Sequence, residues 1–418
     1  MKAVISIPEL ASGVSEQQAT KLLLQPIAGV PLPVRTILTV ARAGASDVLL
    51  VVPEGMSILF LQKLLEDVSL QGIPIELIQI SDFDPQAWSS WIILQRHLKD
   101  EFLWVPWNWV TTKNLLLQLP LVDIAAVDWN RAAYTTLHGV DRDRTSSALP
   151  PKGEGGVAVT SPESVVTAER FVVANSGKVL DGIHTSFNRR LCRPFVRLLS
   201  HTGVTPNAVT FGGVVISILS AVAFARGTYL WSVLGAVIFY IAGLFDEMDG
   251  MLARIKFAES PRGTWLEGMA DGLSYLLLFG GITIGLSRQY GRIAIWIGIA
   301  LLIGSIFALI ASSLQRGRAT TPDRPNEYRG RIYQLLEKDS GNWVSRTVRQ
   351  VEAFQRRGVL IHYIVILTVI GGLPLVFLLA TLGAHLSWIL TLYFNRRFFS
   401  QSSRSQLKPT VSTLKEAL

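Results

Sequence analysis

The 418-residue chain has a single cysteine, Cys192, which excludes an internal disulfide framework and any zinc cluster built on cysteines. Its six histidines show no metal-ligand spacing, and His362 and His385 read as helix-end residues. Charge is scarce: 17% of residues are Asp, Glu, Lys or Arg, against 49% hydrophobic, and the mean hydropathy is +0.37. That balance excludes a disordered protein or a nucleic-acid-binding tail as the main business of the chain. The opening segment Met1–Leu10 lacks the long apolar core of a signal peptide, which predicts that the first part of the chain stays cytoplasmic. No internal repeat is evident.

What the chain does have is two different apolar patterns. Up to about Pro162, short runs at Ala3–Ile7, Val48–Val52, Ile75–Ile80 and Phe102–Val105 have the length of buried strands. Helical spacing occupies Val34–Ala43, Ile58–Val68 and Pro85–Leu98 between them. Such alternation predicts a soluble α/β domain with a parallel sheet covered on both faces. Gly29-Val30-Pro31-Leu32-Pro33 punctuates the start of the first helix and Gly44 its end. The polar stretches 141–147 and 150–156 predict an exposed loop, followed by a last strand near Val157 and a helix over Pro162–Val173. Trp104, Trp107 and Trp109 are expected to be packing residues. The α/β domain is assigned to residues 1–175, with a boundary near Ser176-Gly177.

Beyond Asn207 the apolar runs lengthen. Candidate spans are Val209–Ala225, Tyr229–Phe245, Trp265–Leu286, Ile293–Leu314, Val359–Gly372 and Leu373–Phe394, the fifth of them short for a bilayer. This predicts an all-α, six-helix transmembrane domain over 209–396, followed by a basic tail over 397–418. Arg254, Lys256, Arg262, Arg316, Arg318, Arg396, Arg397 and Arg404 fall on one side of the six spans, with Arg226, Arg288 and Arg292 opposite. The positive-inside rule makes the first side, which also bears the α/β domain, cytoplasmic. Residues 176–208 hold a juxtamembrane helix and the loop after it. Its stripe of Ile183, Phe187, Leu191, Phe195, Leu198 and Leu199, flanked by Arg189, Arg190, Arg193 and Arg197, predicts a helix in the headgroup plane with arginines on lipid phosphates.

Four acids stand where a membrane tolerates them badly. Asp246, Asp249, Glu267 and Asp271 lie at or just inside the ends of adjacent apolar helices, where an ionised group costs about 2.5–3.5 kcal/mol even on lenient insertion scales. Asp246, Asp249 and Ala253 share one helix face, and Gly263, Glu267 and Asp271 recur at steps of four on the next. A hairpin of two such helices aims four carboxylates at one point, an oxygen-rich site suited to Mg²⁺ or Mn²⁺ rather than zinc. Gly250 and Ala253 leave the backbone bare for a bulky ligand. Together with Arg254 the pattern describes a diphosphate site. Two other readings fit intramembrane acids: a metal-dependent prenyltransferase, and a transporter or structural protein pairing them with Arg254 and Lys256. In the first, the two acidic motifs typically sit in separate halves of the bundle.

The pattern Asp246-x2-Asp249-Gly250-x2-Ala253-Arg254, then Gly263-x3-Glu267-x3-Asp271 after eight residues, resembles the signature of the CDP-alcohol phosphotransferases (CDP-alcohol phosphatidyltransferases). Every signature position matches except Glu267, where the family has Asp. The resemblance extends to Thr205-Pro206-Asn207-Ala208-Val209-Thr210 at the first span and covers roughly the last 240 residues. It implies that Asp246, Asp249 and Glu267 bind a metal pair, Mg²⁺ or Mn²⁺, and that Asp271, also counted among the metal ligands, is the general base. It implies that Thr210, Gly250, Ala253 and Arg254 accommodate a CDP-alcohol donor. Arg316 and Arg318 are candidates for holding a phosphorylated acceptor, and equally for positive-inside anchors. The implied partners are the donor, an alcohol or polyol-phosphate acceptor and the bilayer, with no nucleic acid; members of the family are commonly homodimers. Donor identity stays open between CDP-diacylglycerol and a soluble CDP-inositol-like compound.

In the first domain, Gln25–Thr36 and Ala43–Val52 resemble the early helix–strand unit of sugar-phosphate nucleotidyltransferases, and the domain order is similar to that of bifunctional enzymes that make CDP-inositol and then consume it. Two departures predict that this domain is catalytically degenerate. The first strand runs into Pro8-Glu9-Leu10-Ala11-Ser12-Gly13 rather than a basic Gly-rich loop, and Val105-Pro106-Trp107-Asn108 contains no metal-binding acid. Asp128 is the remaining, isolated candidate.

Overall fold

The computed structural model describes residues 2–6, 25–54, 65–81, 83, 90, 93–94, 96–98, 102–117, 156–177, 183–319, 328–339, 341–346, 348 and 357–399. The loop at 8–13, most of the helices expected over 58–68 and 85–98, Asp128, the polar stretch 141–155 and the tail from 400 onward lie outside them. The chain divides into two units. One comprises Met1–Gly177, Arg193–Gly203 and Met251–Ala258; the other comprises Lys178–Cys192, Val204–Gly250 and Glu259–Leu418.

In the first unit the described elements are β1 (Lys2–Ser6), β2 (Pro26–Ile27), β3 (Val30–Pro31), α1 (Leu32–Arg42), β4 (Asp47–Val52), β5 (Ile75–Gln79), β6 (Phe102–Pro106), β7 (Trp109–Val110), α2 (Lys113–Leu116), β8 (Val157–Ala158) and α3 (Pro162–Ala174). Strands β5, β4, β1 and β6 form a sheet in that order, parallel throughout, with Val4 opposite Leu49 and Trp104. Alternate residues feed two cores, as the twofold period of a strand requires. Ala3, Ile5, Leu50 and Val105 pack with Val34 and Ile37 of α1, while Val4, Leu49, Val51 and Phe102 pack with Leu94 and Leu98. Burial on both faces accounts for the unbroken apolar runs in the sequence. The β2–β3 hairpin turns on Ala28 (φ +47) and Gly29 (φ +80), both left-handed as a two-residue turn demands. Trp107 and Trp109 are core residues, and Trp104 Nε1 donates to Ser6 Oγ at 3.0 Å. Ser161 caps α3 in a capping box with Ser164.

The remaining helices are α4 (Ile183–Ser200), α5 (Pro206–Ala225), α6 (Tyr229–Ile255), α7 (Pro261–Tyr290), α8 (Arg292–Ala319), α9 (Tyr328–Lys338), α10 (Arg357–Val369) and α11 (Leu373–Phe399). Among the described residues α5, α6, α7, α8 and α11 are long and apolar enough to cross a membrane, and the chain is an integral membrane protein. The fifth expected span, Val359–Gly372, falls on the shorter apolar helix α10. Its described part, α10, has 13 residues, roughly 20 Å of helix against a hydrocarbon core of about 30 Å. The break before α11 falls where Gly371 takes φ +81.

Small residues set the spacing of the spans. A Cβ on Gly281 would stand 2.4 Å from the Ala221 carbonyl oxygen, and one on Gly285 2.2 Å from that of Phe224, so α5 and α7 touch backbone to backbone. A Cβ on Gly298 would lie 2.1 Å from Thr283 Cγ2, which brings α8 close to α7. Phe224, Phe239, Leu278, Ile282, Leu301 and Phe377 fill the core of this unit. Leu230, Ile293 and Leu382 point outward, the pattern of a lipid-facing surface.

Helix α4 keeps its predicted stripe on the outside, with Phe187, Leu191, Phe195 and Leu198 exposed, while Asn188, Cys192 and Val196 are buried. Two of its arginines are committed to protein rather than left for lipid phosphate. Arg189 Nε pairs with Glu247 at 3.0 Å, and Arg197 grips buried Glu169 at 2.9 and 3.1 Å. Glu169 also meets His201 at 3.0 Å.

Candidate active site

Helix α6 presents Asp246 and Asp249 a turn apart near its C-terminal end, and α7 presents Glu267 in its second turn. Ser260 starts α7 by accepting from the Gly263 amide at 3.0 Å, and Pro261 occupies the first turn, where a missing N–H costs nothing. One carboxylate oxygen each from Asp246, Asp249 and Glu267 lies within 4.8 Å of the others. The extra methylene of Glu267 therefore does not take its carboxylate out of the group. Ionised together at such spacing, the three carboxylates would repel by about 3.5 kcal/mol per pair at an effective dielectric of 20. A cation removes that cost.

Asp249 makes the case sharper. Its side chain is buried, 3% exposed. Thr210 Oγ1 on α5 donates to Asp249 Oδ2 at 2.5 Å, while Oδ1 is buried with no hydrogen-bond partner. A buried carboxylate oxygen without a donor is costly unless a cation takes it. Hard oxygen donors with an orphaned lone pair fit a divalent ion of the Mg²⁺ or Mn²⁺ type.

The other predicted residues are distributed around this group. Asp271, one turn after Glu267 on α7, is half-buried and does not join the three clustered carboxylates. Gly250 and Ala253 follow Asp249 on α6, both half-buried. Arg254 Nε donates to the Ser176 carbonyl. Arg316 is exposed near the end of α8, yet its Nη1 comes within 3.3 Å of where a Cβ on Gly268 would be, next to Glu267. Arg318 is exposed two residues on. Asn207 Oδ1 stands 3.8 Å from the corresponding point on Gly263, which brings the Thr205–Thr210 segment to the acidic hairpin.

Residues 203–332 match the sequence model described as CDP-alcohol phosphatidyltransferase. The acidic hairpin of the membrane half lies inside the matched residues. Among curated relatives, a protein named bifunctional IPC transferase and DIPP synthase from Thermococcus kodakarensis is 25% identical over 251 residues, 57% of this chain and 56% of its own length. A phosphatidylinositol phosphate synthase from Streptomyces avermitilis is 28% identical over 124 residues, 29% of this chain and 50% of its length. An archaetidylinositol phosphate synthase from Pyrococcus horikoshii is 32% identical over 90 residues, 21% and 46% of the two chains. The chain thus spans about half the length of the curated relatives it matches. The first of these matches extends beyond the transferase domain, in keeping with the two-part architecture.

Glu247 escaped the sequence reading. It sits between the two signature aspartates, yet its partner Arg189 lies 58 residues away, and no local spacing pairs them. The hydroxyl of Thr210, a residue expected at the donor site, is directed to Asp249.

Proposed function

We propose that this chain is a metal-dependent CDP-alcohol phosphotransferase of phospholipid synthesis, moving a substituted phosphate from a CDP-alcohol to an acceptor alcohol and releasing CMP. The observation that carries the reading is the triad Asp246, Asp249 and Glu267, with Asp249 Oδ1 buried and unsatisfied beside it. These three would hold the divalent ion or ions. Bound there, Mg²⁺ or Mn²⁺ would neutralise the diphosphate and the charge on the attacking and leaving oxygens of an in-line displacement. Asp271 would accept the proton of the acceptor hydroxyl, whose oxygen bonds to the phosphorus bearing the donor alcohol as the bond from that phosphorus to CMP breaks. Gly250 and Ala253 would let the donor approach the α6 backbone. Arg316, reaching α7 beside Glu267, and Arg318 would hold a phosphorylated acceptor.

For the donor we favour CDP-diacylglycerol, with a polyol phosphate as acceptor, in keeping with the printed names of the synthase relatives. The α/β unit is read as a degenerate nucleotidyltransferase: Asn108, after β6 where a metal-binding acid is expected, donates instead to the Val159 carbonyl at 3.3 Å. A soluble CDP-inositol-like donor is the second reading, favoured by the front unit and the match to the bifunctional relative. Purified protein should release CMP from CDP-diacylglycerol with pooled polyol and polyol-phosphate acceptors, only with Mg²⁺ or Mn²⁺, and not as Asp271→Asn. Release only from soluble CDP-alcohols would move the assignment to the second reading. No release from either class would overturn both.

A further inference from the structure

The end of helix α6 is built in an unusual way. The Ala258 amide donates to the Ala253 carbonyl at 2.8 Å and the Phe257 amide to the Arg254 carbonyl at 3.3 Å, the paired bonds of a Schellman turn. Its left-handed position is held by Phe257, at φ +57. Glycine is the usual residue there, because a side chain in that conformation crowds the carbonyl. A phenylalanine needs a compensating contact, and its ring has two. The guanidinium carbons of Arg35 and Arg42, both on α1, lie 5.2 and 4.6 Å from the ring centroid. The ring also packs against the larger core of the α/β unit.

Arg35 is buried, 4% exposed. Its Nε and Nη2 donate to the Ile27 carbonyl at 3.1 and 2.8 Å, and Nη2 reaches the Ile255 carbonyl at 2.9 Å. Ile255 closes α6, and carbonyls in a last turn have no acceptor role left within the helix. A cation at that end also complements the helix dipole. Two further ties act on the same segment: Arg254 Nε to the Ser176 carbonyl, and Lys256 Nζ to the Thr202 carbonyl at 2.7 Å. All these residues belong to the first unit.

We infer that Arg35 and Phe257 are positioning residues for phosphotransfer: the α/β unit grips the end of α6 and, through the continuous helix, sets where Asp246 and Asp249 present their carboxylates. Asp249 precedes Ile255 by six residues, a run of roughly 9 Å. The grip gives the front unit a task that needs no nucleotidyl transfer. It rests on the metal site proposed above.

Phe257→Gly tests the grip in full-length protein in nanodiscs. Glycine suits the left-handed position better than phenylalanine, so a simple helix terminus predicts unchanged or slower amide exchange over residues 250–258. A grip through the ring predicts the opposite sign, exchange faster by about tenfold there with α5 and α7 unaffected. It also predicts Mn²⁺ binding weaker by about tenfold, read by electron paramagnetic resonance titration. Arg35→Lys, which keeps the charge and loses the fork, should move both readouts the same way. Unchanged exchange in Phe257→Gly overturns the inference, and so does faster exchange with wild-type Mn²⁺ affinity. Both expected changes in a protein that releases no CMP from any donor would sink the reaction and leave the positioning intact. Wild-type protein that binds no Mn²⁺ would sink both.

Discussion

Thr210 on α5 donates its hydroxyl hydrogen to Asp249 Oδ2 on α6 at 2.5 Å, while the other oxygen of the same carboxylate, a carboxylate grouped with Asp246 and Glu267, is buried without a hydrogen-bond partner. The first span therefore fixes the rotamer of a proposed metal ligand on the second. Thr210→Val keeps the shape and removes the donor. It should weaken Mg²⁺ or Mn²⁺ affinity by about 10- to 100-fold, the usual cost of losing a partner behind a ligand. Calorimetric or paramagnetic metal titration checks this, and unchanged affinity would count against the arrangement.

Asp249→Asn and Asp271→Asn should separate binding from proton transfer. Neutralising Asp249 relieves repulsion within the acidic group, so the metal-free protein should melt higher, by about 2–4 °C for each kcal/mol regained. The same variant should lose its stabilisation by added Mg²⁺. Asp271→Asn should keep that stabilisation and lose CMP release by about 10²- to 10⁴-fold. Identical behaviour of the two in a melting assay with and without metal would reject the division of roles.

Gly281→Ala places a methyl 2.4 Å from the Ala221 carbonyl oxygen, where neither backbone can yield without moving a span. Overpacking of this kind costs about 1–3 kcal/mol. Thermal unfolding in detergent should show the loss. Gly280→Ala, next along the helix with nothing within 4 Å of its added carbon, should be close to neutral.

Cys192 tests the packing of α4. Burial first, then the nearby Glu247, pushes its thiol up to about 12, with Arg189 opposing. The thiolate is the nucleophile, so the sign is a thiol that stays protonated and slow while an ordinary cysteine is already reactive near its usual value of about 8.5. Maleimide or iodoacetamide should leave the native protein unlabelled at pH 8–9 and label it fully once unfolded. Rapid native labelling at that pH would show that α4 does not pack as described.

The acidic hairpin was legible because its residues repeat at helical steps, which bring carboxylates onto facing surfaces whatever the rest of the chain does. The parallel sheet was legible for a similar reason: Val48–Val52 and Phe102–Val105 have strand length and no polar alternation, so both faces must be covered. What escaped was set by tertiary partners. Arg189 and Arg197 looked like lipid-facing cations because their own helix is amphipathic, while their acids lie on α6 and α3. Phe257 carried a faint signal, since α6 ends without the glycine or asparagine that commonly closes a helix. Thr210 sat inside a recognisable segment, but only the crossing of α5 and α6 reveals whom its hydroxyl serves.

The glycine contact between α5 and α7 has a reach beyond its own location. Glu267 stands near one end of α7 and Gly281 fourteen residues along it, an arm of roughly 21 Å. Metal–oxygen distances tolerate errors of only about 0.2 Å. Over that arm such an error corresponds to a helix tilt of about half a degree. The carbonyl of Ala221, where α5 meets α7, is thus part of the mechanical reference against which the acidic group is aligned, and a fulcrum displaced there would be felt at the opposite end of the lever.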